Sequence, residues 1–426
     1  MLIKNGNQQL QDFDRKNFKK SMIKVTDGVW HTVGFGHSNA IFIEANTSVL
    51  LIDTLDTLER GEALRKTIQT YTTKEIKTII YTHEHPDHRG GAGAFQNSNP
   101  EIIAFTAKNP PLEKSELLKD IQMLRGTWQF GYTLTDKEAL SQGIGPREGI
   151  TIGEHRAFLS PTTLYQEDHI IREIDGIELE MVRLPGEAED QIMIWLPQKK
   201  VVCCGDNYFG CFPNLYAIRG GQYRNLATWI SSIETLLSYP AQYLLPGHTA
   251  PIIGYTHIQE VLGKFKDAID YLLTKTLEAM NTGKSPDQLA AEIKLPAEYE
   301  KLPVLAEHYG CVEWTVREIY AAYLGWFDGN PTHLHPLPPK THAYKTMRLM
   351  GGQKKVYEAA KNAFQQEDYQ WCLELCDLII TVEYNRNALA LKASALEKLA
   401  EYETSANGRH YYIASAKDIK SRIENK

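Results

Sequence analysis

The chain has 426 residues, 42% of them hydrophobic, and a formal charge of −7. That length fits about two or three domains and permits a large buried core. The mild charge argues against nucleic-acid or anionic-membrane partners, and no apolar run reaches the ~20 residues that would predict membrane insertion. Met1–Lys20 is polar and lacks the apolar centre of a signal peptide. The six cysteines show neither zinc-ribbon spacing nor a disulfide framework. Both features give the expectation of a cytoplasmic protein with reduced thiols.

Val25–Thr32 and Asn39–Glu44 are expected as short strands, followed by Ser48–Ile52, which closes at Asp53. Leu58–Tyr71 carries apolar residues at helical spacing, and Ile76–Tyr81 is another strand. Directly after it stands His83-Glu84-His85-Pro86-Asp87-His88, with Gly90-Gly91 beyond. Three imidazoles and the Asp87 carboxylate within so short a stretch suit a borderline divalent ion such as zinc. Val201–Cys204 is a β-branched run ending at Gly205-Asp206, Asn225–Leu237 reads as a helix, and Gln242–Leu245 as the strand before Pro246-Gly247-His248-Thr249. Strands followed by loop-borne polar residues fit a sandwich of sheets flanked by helices.

Beyond about residue 255 the character becomes helical. Ile258–Met280 and Cys311–Leu324 read as helices, and His333–Pro339 is a Pro-rich break. From Lys355 onward the texture is that of tetratricopeptide-like helix pairs; about two such units fit, so a bundle is expected rather than a solenoid. The chain is therefore divided at 1–255 and 256–426.

The order His-x-His-x-Asp-His resembles the metal loop of the metallo-β-lactamase superfamily. Gly205-Asp206 is similar to that superfamily's bridging acid, and Pro246-Gly247-His248 to its last histidine. At the third ligand position stands Leu184-Pro185-Gly186-Glu187, a carboxylate where histidine is usual; Glu189 is its rival. This narrows the resemblance to the zinc-dependent alkylsulfatases, which use Glu there. Asn214-Leu215-Tyr216-Ala217-Ile218-Arg219-Gly220 resembles their sulfate-holding segment. Tyr323-Leu324-Gly325-Trp326-Phe327-Asp328-Gly329-Asn330-Pro331 resembles the opening of their helical dimerisation domain.

The resemblance implies an α/β fold, the αββα metallo-β-lactamase sandwich, followed by an all-α dimerisation domain, and a homodimer. It implies two Zn2+ per chain, one held by His83, His85 and Glu187 and the other by Asp87, His88 and His248, with Asp206 between them. Iron or manganese would suit the same ligands. Asp87, Asn214 and Arg219 are the candidate catalytic residues. Paired metals can bring a bridging water to near-neutral pKa and so supply hydroxide. The Arg219 guanidinium fork suits a sulfate, and Asn214 can donate to another of its oxygens. The expected partner is thus a small-molecule sulfate ester or a related anionic ester. Asp53 is expected to orient a ligand histidine rather than to bind metal, and His37 and His308 are candidate pocket residues.

Several positions depart from the family pattern. Asp206 replaces the usual Glu, and Glu84 and Pro86 stand where small or apolar residues are preferred. Near Tyr309-Gly310, Trp314 replaces a family histidine and is expected to alter the pocket. The chain ends after the helical bundle, so the family's sterol-carrier-like domain is expected to be absent and a shorter or more polar substrate becomes plausible. Two other readings compete: a hydrolase of the same fold acting on another ester, a lactone, a thioester or a phosphodiester, and an interaction protein with a vestigial metal site. Arg219 and Asn214 speak against the first, because neutral substrates do not require a buried guanidinium. The full ligand set speaks against the second.

Overall fold

The computed structural model describes residues 5–109 and 111–425. A first sheet contains β1 (Ser21–Thr26), β2 (Val29–Val33), β3 (Ala40–Glu44), β4 (Val49–Ile52), β5 (Ile76–Ile80), β6 (Glu101–Phe105) and β7 (Thr163–Tyr165), in chain order. The second contains β8 (His169–Ile174), β9 (Ile177–Arg183), β10 (Ile192–Leu196), β11 (Val201–Gly205), β12 (Tyr243–Pro246) and β13 (Ile252–Ile253), ordered β13-β12-β11-β10-β9-β8. β1 to β4 form an antiparallel meander, whereas β4 to β7 are parallel; in the second sheet only β11 and β12 pair in parallel.

Side chains alternate across a strand, so each sheet has two apolar faces to cover. Ile41, Ile43, Leu50 and Ile52 of the first sheet meet Met181, Ile192, Ile194 and Val201 of the second in a shared core. Phe42, Leu51 and Ile79 face outward onto Leu64 and Ile68 of the helix Leu58–Ile68. On the far side, Trp195, Val202 and Cys204 pack against Trp229 and Ile233 of the helix Leu226–Ser238. The layers are helix, sheet, sheet, helix.

The expected strand Val25–Thr32 is in fact two, β1 and β2, joined through Asp27-Gly28 with Gly28 at φ 72°. Asp-Gly is a hairpin signal, and only glycine takes that backbone without strain. The helix expected to reach Tyr71 ends at Ile68. Elements beyond those expected also form, among them β8 to β10 and the helices Gly6–Asn17 and Lys119–Gln129.

The helix Tyr255–Met280 lies on the second sheet and against Val312–Leu324, so the helical part shares a core with the sandwich. A separate cluster around Val356, Cys372, Ile379 and Leu396 joins the helix pairs Gln353–Gln365 with Tyr369–Val382 and Arg386–Tyr402 with Ala406–Glu424. The last of these returns to the sandwich side, where His410 meets the carbonyls of Gln129 and Ala139. No helix among the described residues is long and apolar enough to cross a membrane.

Candidate metal centre

Five strand ends meet at one edge of the sandwich. Asp53 follows β4, His83 follows β5, Glu187 follows β9, Asp206 follows β11 and His248 follows β12. His85 caps a short helical turn, Pro86–Arg89, which carries Asp87 and His88. All seven sequence-predicted ligands come together in three overlapping groups: His83 with His88 and Asp206, Asp87 with His88 and His248, and His85 with Glu187 and Asp206.

The spacing is that of ligands around a common centre rather than of hydrogen bonds. Asp206 Oδ2 lies 3.3 Å from His248 Nε2, 3.5 Å from His88 Nε2 and 3.7 Å from His83 Nε2. Asp87 Oδ2 lies 3.4 Å from His88 Nε2 and 3.6 Å from His248 Nε2. Donors bound at about 2.0–2.2 Å in a tetrahedron stand about 3.4 Å apart. Among the described residues, Nε2 of His83, His88 and His248, Oε2 of Glu187 and Oδ1 of Asp206 are buried with no hydrogen-bond partner. Leaving so many buried polar atoms unpaired is expensive, and a divalent cation is what would satisfy this donor set. The residues therefore fit such an ion.

The opposite ring nitrogens are all engaged. His88 Nδ1 lies 2.7 Å from Asp53 Oδ2, and the Thr82 amide and hydroxyl donate to the same carboxylate at 2.8 and 2.7 Å. His248 Nδ1 lies 3.0 Å from the His37 carbonyl, and His83 Nδ1 3.0 Å from the Thr82 hydroxyl. These contacts leave Nε2 as the free face of each ring, as metal-binding histidines require. Gly247 allows the close approach. A Cβ there would stand 2.2 Å from Asp206 Oδ1 and 2.9 Å from His88 Cε1.

Burial holds His83 and His85 well below the usual histidine range, and the neighbouring imidazoles add to the effect. Burial works to raise Asp206, but His248, His88 and His83 outweigh it and hold the carboxyl well below its usual range. Burial works to lower His88 and His248, but Asp206 and Asp87 outweigh it and push both above the usual histidine range, so a cation bound here would take the place of the protons on their Nε2 atoms.

Beside this cluster lies a cavity of about 230 Å³ lined by Asp87, Glu187, Asp206 and His248 and also by Asn214, Arg219 and Tyr309. Asn214 is buried with its Oδ1 unpartnered among the described residues, and the Arg219 amide donates to Gln129 at 2.8 Å. Burial and the neighbouring Arg224 lower the Arg219 pKa, so an anion there would relieve two crowded guanidinium groups.

Of the two rival acids, Glu187 is buried in the cluster, while Glu189 accepts from Asn109 at 2.8 Å near the surface. His37 lines the cavity, but His308 lies in another hollow with Glu307 and Cys311. Trp314 does not reach the site either. It borders a hollow with Arg125, Tyr216 and Tyr411, because its helix turns that face away, and Tyr309 takes the place at the cavity wall. Sequence reasoning missed Arg224, Tyr132, Glu148 and Arg156. Arg224 Nη1 lies 2.8 Å from Glu187 Oε1 and the same group donates to the Asn214 carbonyl. Its place five residues beyond Arg219 was the one available signal.

Comparison with known proteins agrees with this architecture. Residues 33–248 match the metallo-beta-lactamase superfamily, and residues 285–422 match the alkyl sulfatase dimerisation family. A linear primary-alkylsulfatase from Pseudomonas sp. is 32% identical over 396 residues, covering 90% of this chain and 74% of that protein. The chain belongs to the alkylsulfatase family. That family is a hydrolase branch of the metallo-β-lactamase superfamily. An alkyl/aryl-sulfatase of Saccharomyces cerevisiae is 29% identical over 420 residues, which span 94% of this chain and 64% of the yeast protein. The solved stereoselective inverting sec-alkylsulfatase Pisa1 from Pseudomonas sp. superposes with a TM-score of 0.86 at 26% identity, covering 98% of this chain and 72% of that one. The fold expected for an alkylsulfatase, a sandwich followed by helices, is the fold observed.

Proposed function

We propose that this protein hydrolyses alkyl sulfate esters with two zinc ions per chain and works as a homodimer. The observation that carries this is the set of buried, unpartnered donor atoms at ligand-to-ligand spacing, opening onto a cavity lined by Asn214 and Arg219. His83, His85 and Glu187 would hold one ion, Asp87, His88 and His248 the other, and Asp206 would bridge. When bound, the ions supply a water acidic enough to be a nucleophile near neutral pH.

The chain's own residues do the rest. Asp53, Thr82 and the His37 carbonyl fix the tautomers and angles of the ligand rings. Arg219 receives the sulfate through paired N–H groups, and the Asn214 amide donates to a further oxygen. Both line the cavity before substrate arrives, Asn214 buried in its wall, so charge developing on the sulfate as the ester bond breaks would meet donors already present. Phe209 stacks on the His248 ring at 5.9 Å between centroids and keeps that side dry.

A panel of alkyl sulfates, phosphates and carboxylic esters on zinc-loaded protein tests the assignment. Sulfate esters should be preferred, with about two ions per chain by elemental analysis. Arg219→Ala should cost roughly 2–4 kcal/mol of transition-state stabilisation on a sulfate ester without changing metal content. Preference for a phosphate or a carboxylic ester, or an Arg219→Ala variant as fast as the parent, would overturn it.

A further inference from the structure

The rest of the cavity wall is part apolar and part polar. Besides Phe130 and Ile144 it contains Tyr132, Glu148 and Arg156. The Tyr132 hydroxyl donates to Glu148 Oε1 at 2.9 Å, Arg156 donates to Glu148 Oε2, and Arg156 Nη2 lies 3.5 Å from the Tyr132 oxygen. Glu148 is buried, whereas the Arg156 side chain keeps 25% of its exposure. Arg156 Nε is buried with no acceptor among the described residues.

This trio is not needed to fasten its loop. The Gly149 amide donates to Asp56 at 2.7 Å, Arg60 donates to the Arg147 carbonyl at 2.7 Å, and the Glu148 amide donates to Gln142 at 2.6 Å. With the backbone held by those bonds, the three side chains are free for a role toward the cavity. A plain alkyl chain laid against them would strip water from an ion pair and a phenol and return no hydrogen bond. A second anion is disfavoured as well, because Glu148 already neutralises Arg156 and Asp87 lines the same cavity. A neutral group that both donates and accepts fits best.

We infer that the organic part of the substrate carries a hydroxyl group, received by Arg156, Glu148 and Tyr132. The inference rests on the sulfate-ester reading above and narrows the substrate to small hydroxylated alkyl sulfates. The hydroxyl oxygen accepts from the guanidinium while its hydrogen goes to the carboxylate, and the ester oxygen is thereby held at a fixed distance from the Arg219 end.

The test compares kcat/KM for n-butyl sulfate, its terminal-hydroxyl counterpart and its terminal-carboxylate counterpart on the zinc-loaded protein. The hydroxylated ester should lead by at least about tenfold, since a site built to hydrogen-bond a hydroxyl discriminates against the analogue that lacks it. That ratio should collapse toward one in Arg156→Met and, independently, in the near-isosteric Tyr132→Phe, whose fold has least reason to change. A wild-type preference for the plain or the carboxylated ester, or a ratio untouched by both variants, overturns the inference while leaving sulfatase activity standing. If none of the three esters nor any other sulfate of the panel is cleaved, the sulfate-ester reading fails first and this one with it.

Discussion

Asp53→Asn is the substitution that separates ligand orientation from everything else at the centre. Asp53 sits at φ 57°, a left-handed backbone that asparagine tolerates better than any other residue except glycine. The fold should therefore survive. The Asn carbonyl oxygen can take over the bond from the Thr82 amide, now 2.8 Å from Oδ1, and its NH2 group then occupies the place of Oδ2, 2.7 Å from His88 Nδ1. A donor now faces that nitrogen, so the favoured tautomer carries its proton on Nε2, the atom turned toward Asp87 and Asp206. A protonated Nε2 cannot bind a cation. Loss of such a supporting partner typically weakens metal binding by 10–100-fold, or about 1.4–2.7 kcal/mol. The loss should fall on the Asp87, His88 and His248 group. Competition against a chromogenic chelator measures it directly, and circular dichroism checks the fold. A variant that holds both ions within a factor of about two of the parent would refute the orienting role of Asp53.

Acid should weaken the fold through His31. Burial holds its pKa down at about 4 while its Nε2 contacts the Pro246 carbonyl at 3.0 Å. The unfolded chain takes up that proton near 6.5, so stability present above about 6.5 is lost as pH falls toward 4, by up to about 3 kcal/mol. His31→Gln, which keeps a donor for Pro246, should flatten the decline of Tm across that window; an unchanged slope would exclude His31 as its source. Light scattering at micromolar concentration should give twice the chain mass, because Leu324, Trp326, Leu337 and Leu349 stand exposed along the segment that matches the dimerisation family. Trp326→Asp should shift the population toward monomer, and a monomeric parent would refute the pairing.

The candidate centre was legible to the extent that its donors travel together in the chain. His83 to His88 are one loop, and Asp206 and His248 each follow a β-branched or apolar run directly, so local pattern placed them at strand ends. Glu187 needed the family pattern, because Leu184 to Gln191 offers three acids, Glu187, Glu189 and Asp190, and only the fold brings one of them into the cluster. What the sequence concealed comes from segments without apolar period. Glu148 and Arg156 lie on the irregular stretch between Asp136–Ala139 and β7, and Tyr309 stands between two helices. Their meeting depends on contacts between distant parts of the chain, such as Ser405 donating to the Tyr309 carbonyl at 2.7 Å. No window of sequence contains that information. The Trp314 expectation failed for a related reason: within a helix, a shift of a few residues turns a side chain to another face.

The charge of the centre explains why Arg224 stands where it does. A glutamate in place of the usual histidine adds a negative charge to a cluster that already contains Asp87 and Asp206. Burial pushes Glu187 up to about 7, and Arg224 opposes that rise. Arg224 engages Oε1 at 2.8 Å, whereas Oε2 is the oxygen left without a partner, so the guanidinium both offsets the extra charge and selects which oxygen faces the proposed metal. Arg224→Met removes both effects and leaves a buried carboxylate uncompensated, a state in which protonation competes with ligation. Metal affinity at the His85, Glu187 and Asp206 group should fall by about 10–100-fold, the range for lost supporting partners. Glu187→His supplies a neutral ligand that has no need of the guanidinium, so Arg224→Met should cost much less in that background. A double-mutant cycle read by chelator competition gives the coupling between the two positions. Equal losses in both backgrounds would show that Arg224 acts on the site by some route other than the Glu187 carboxylate.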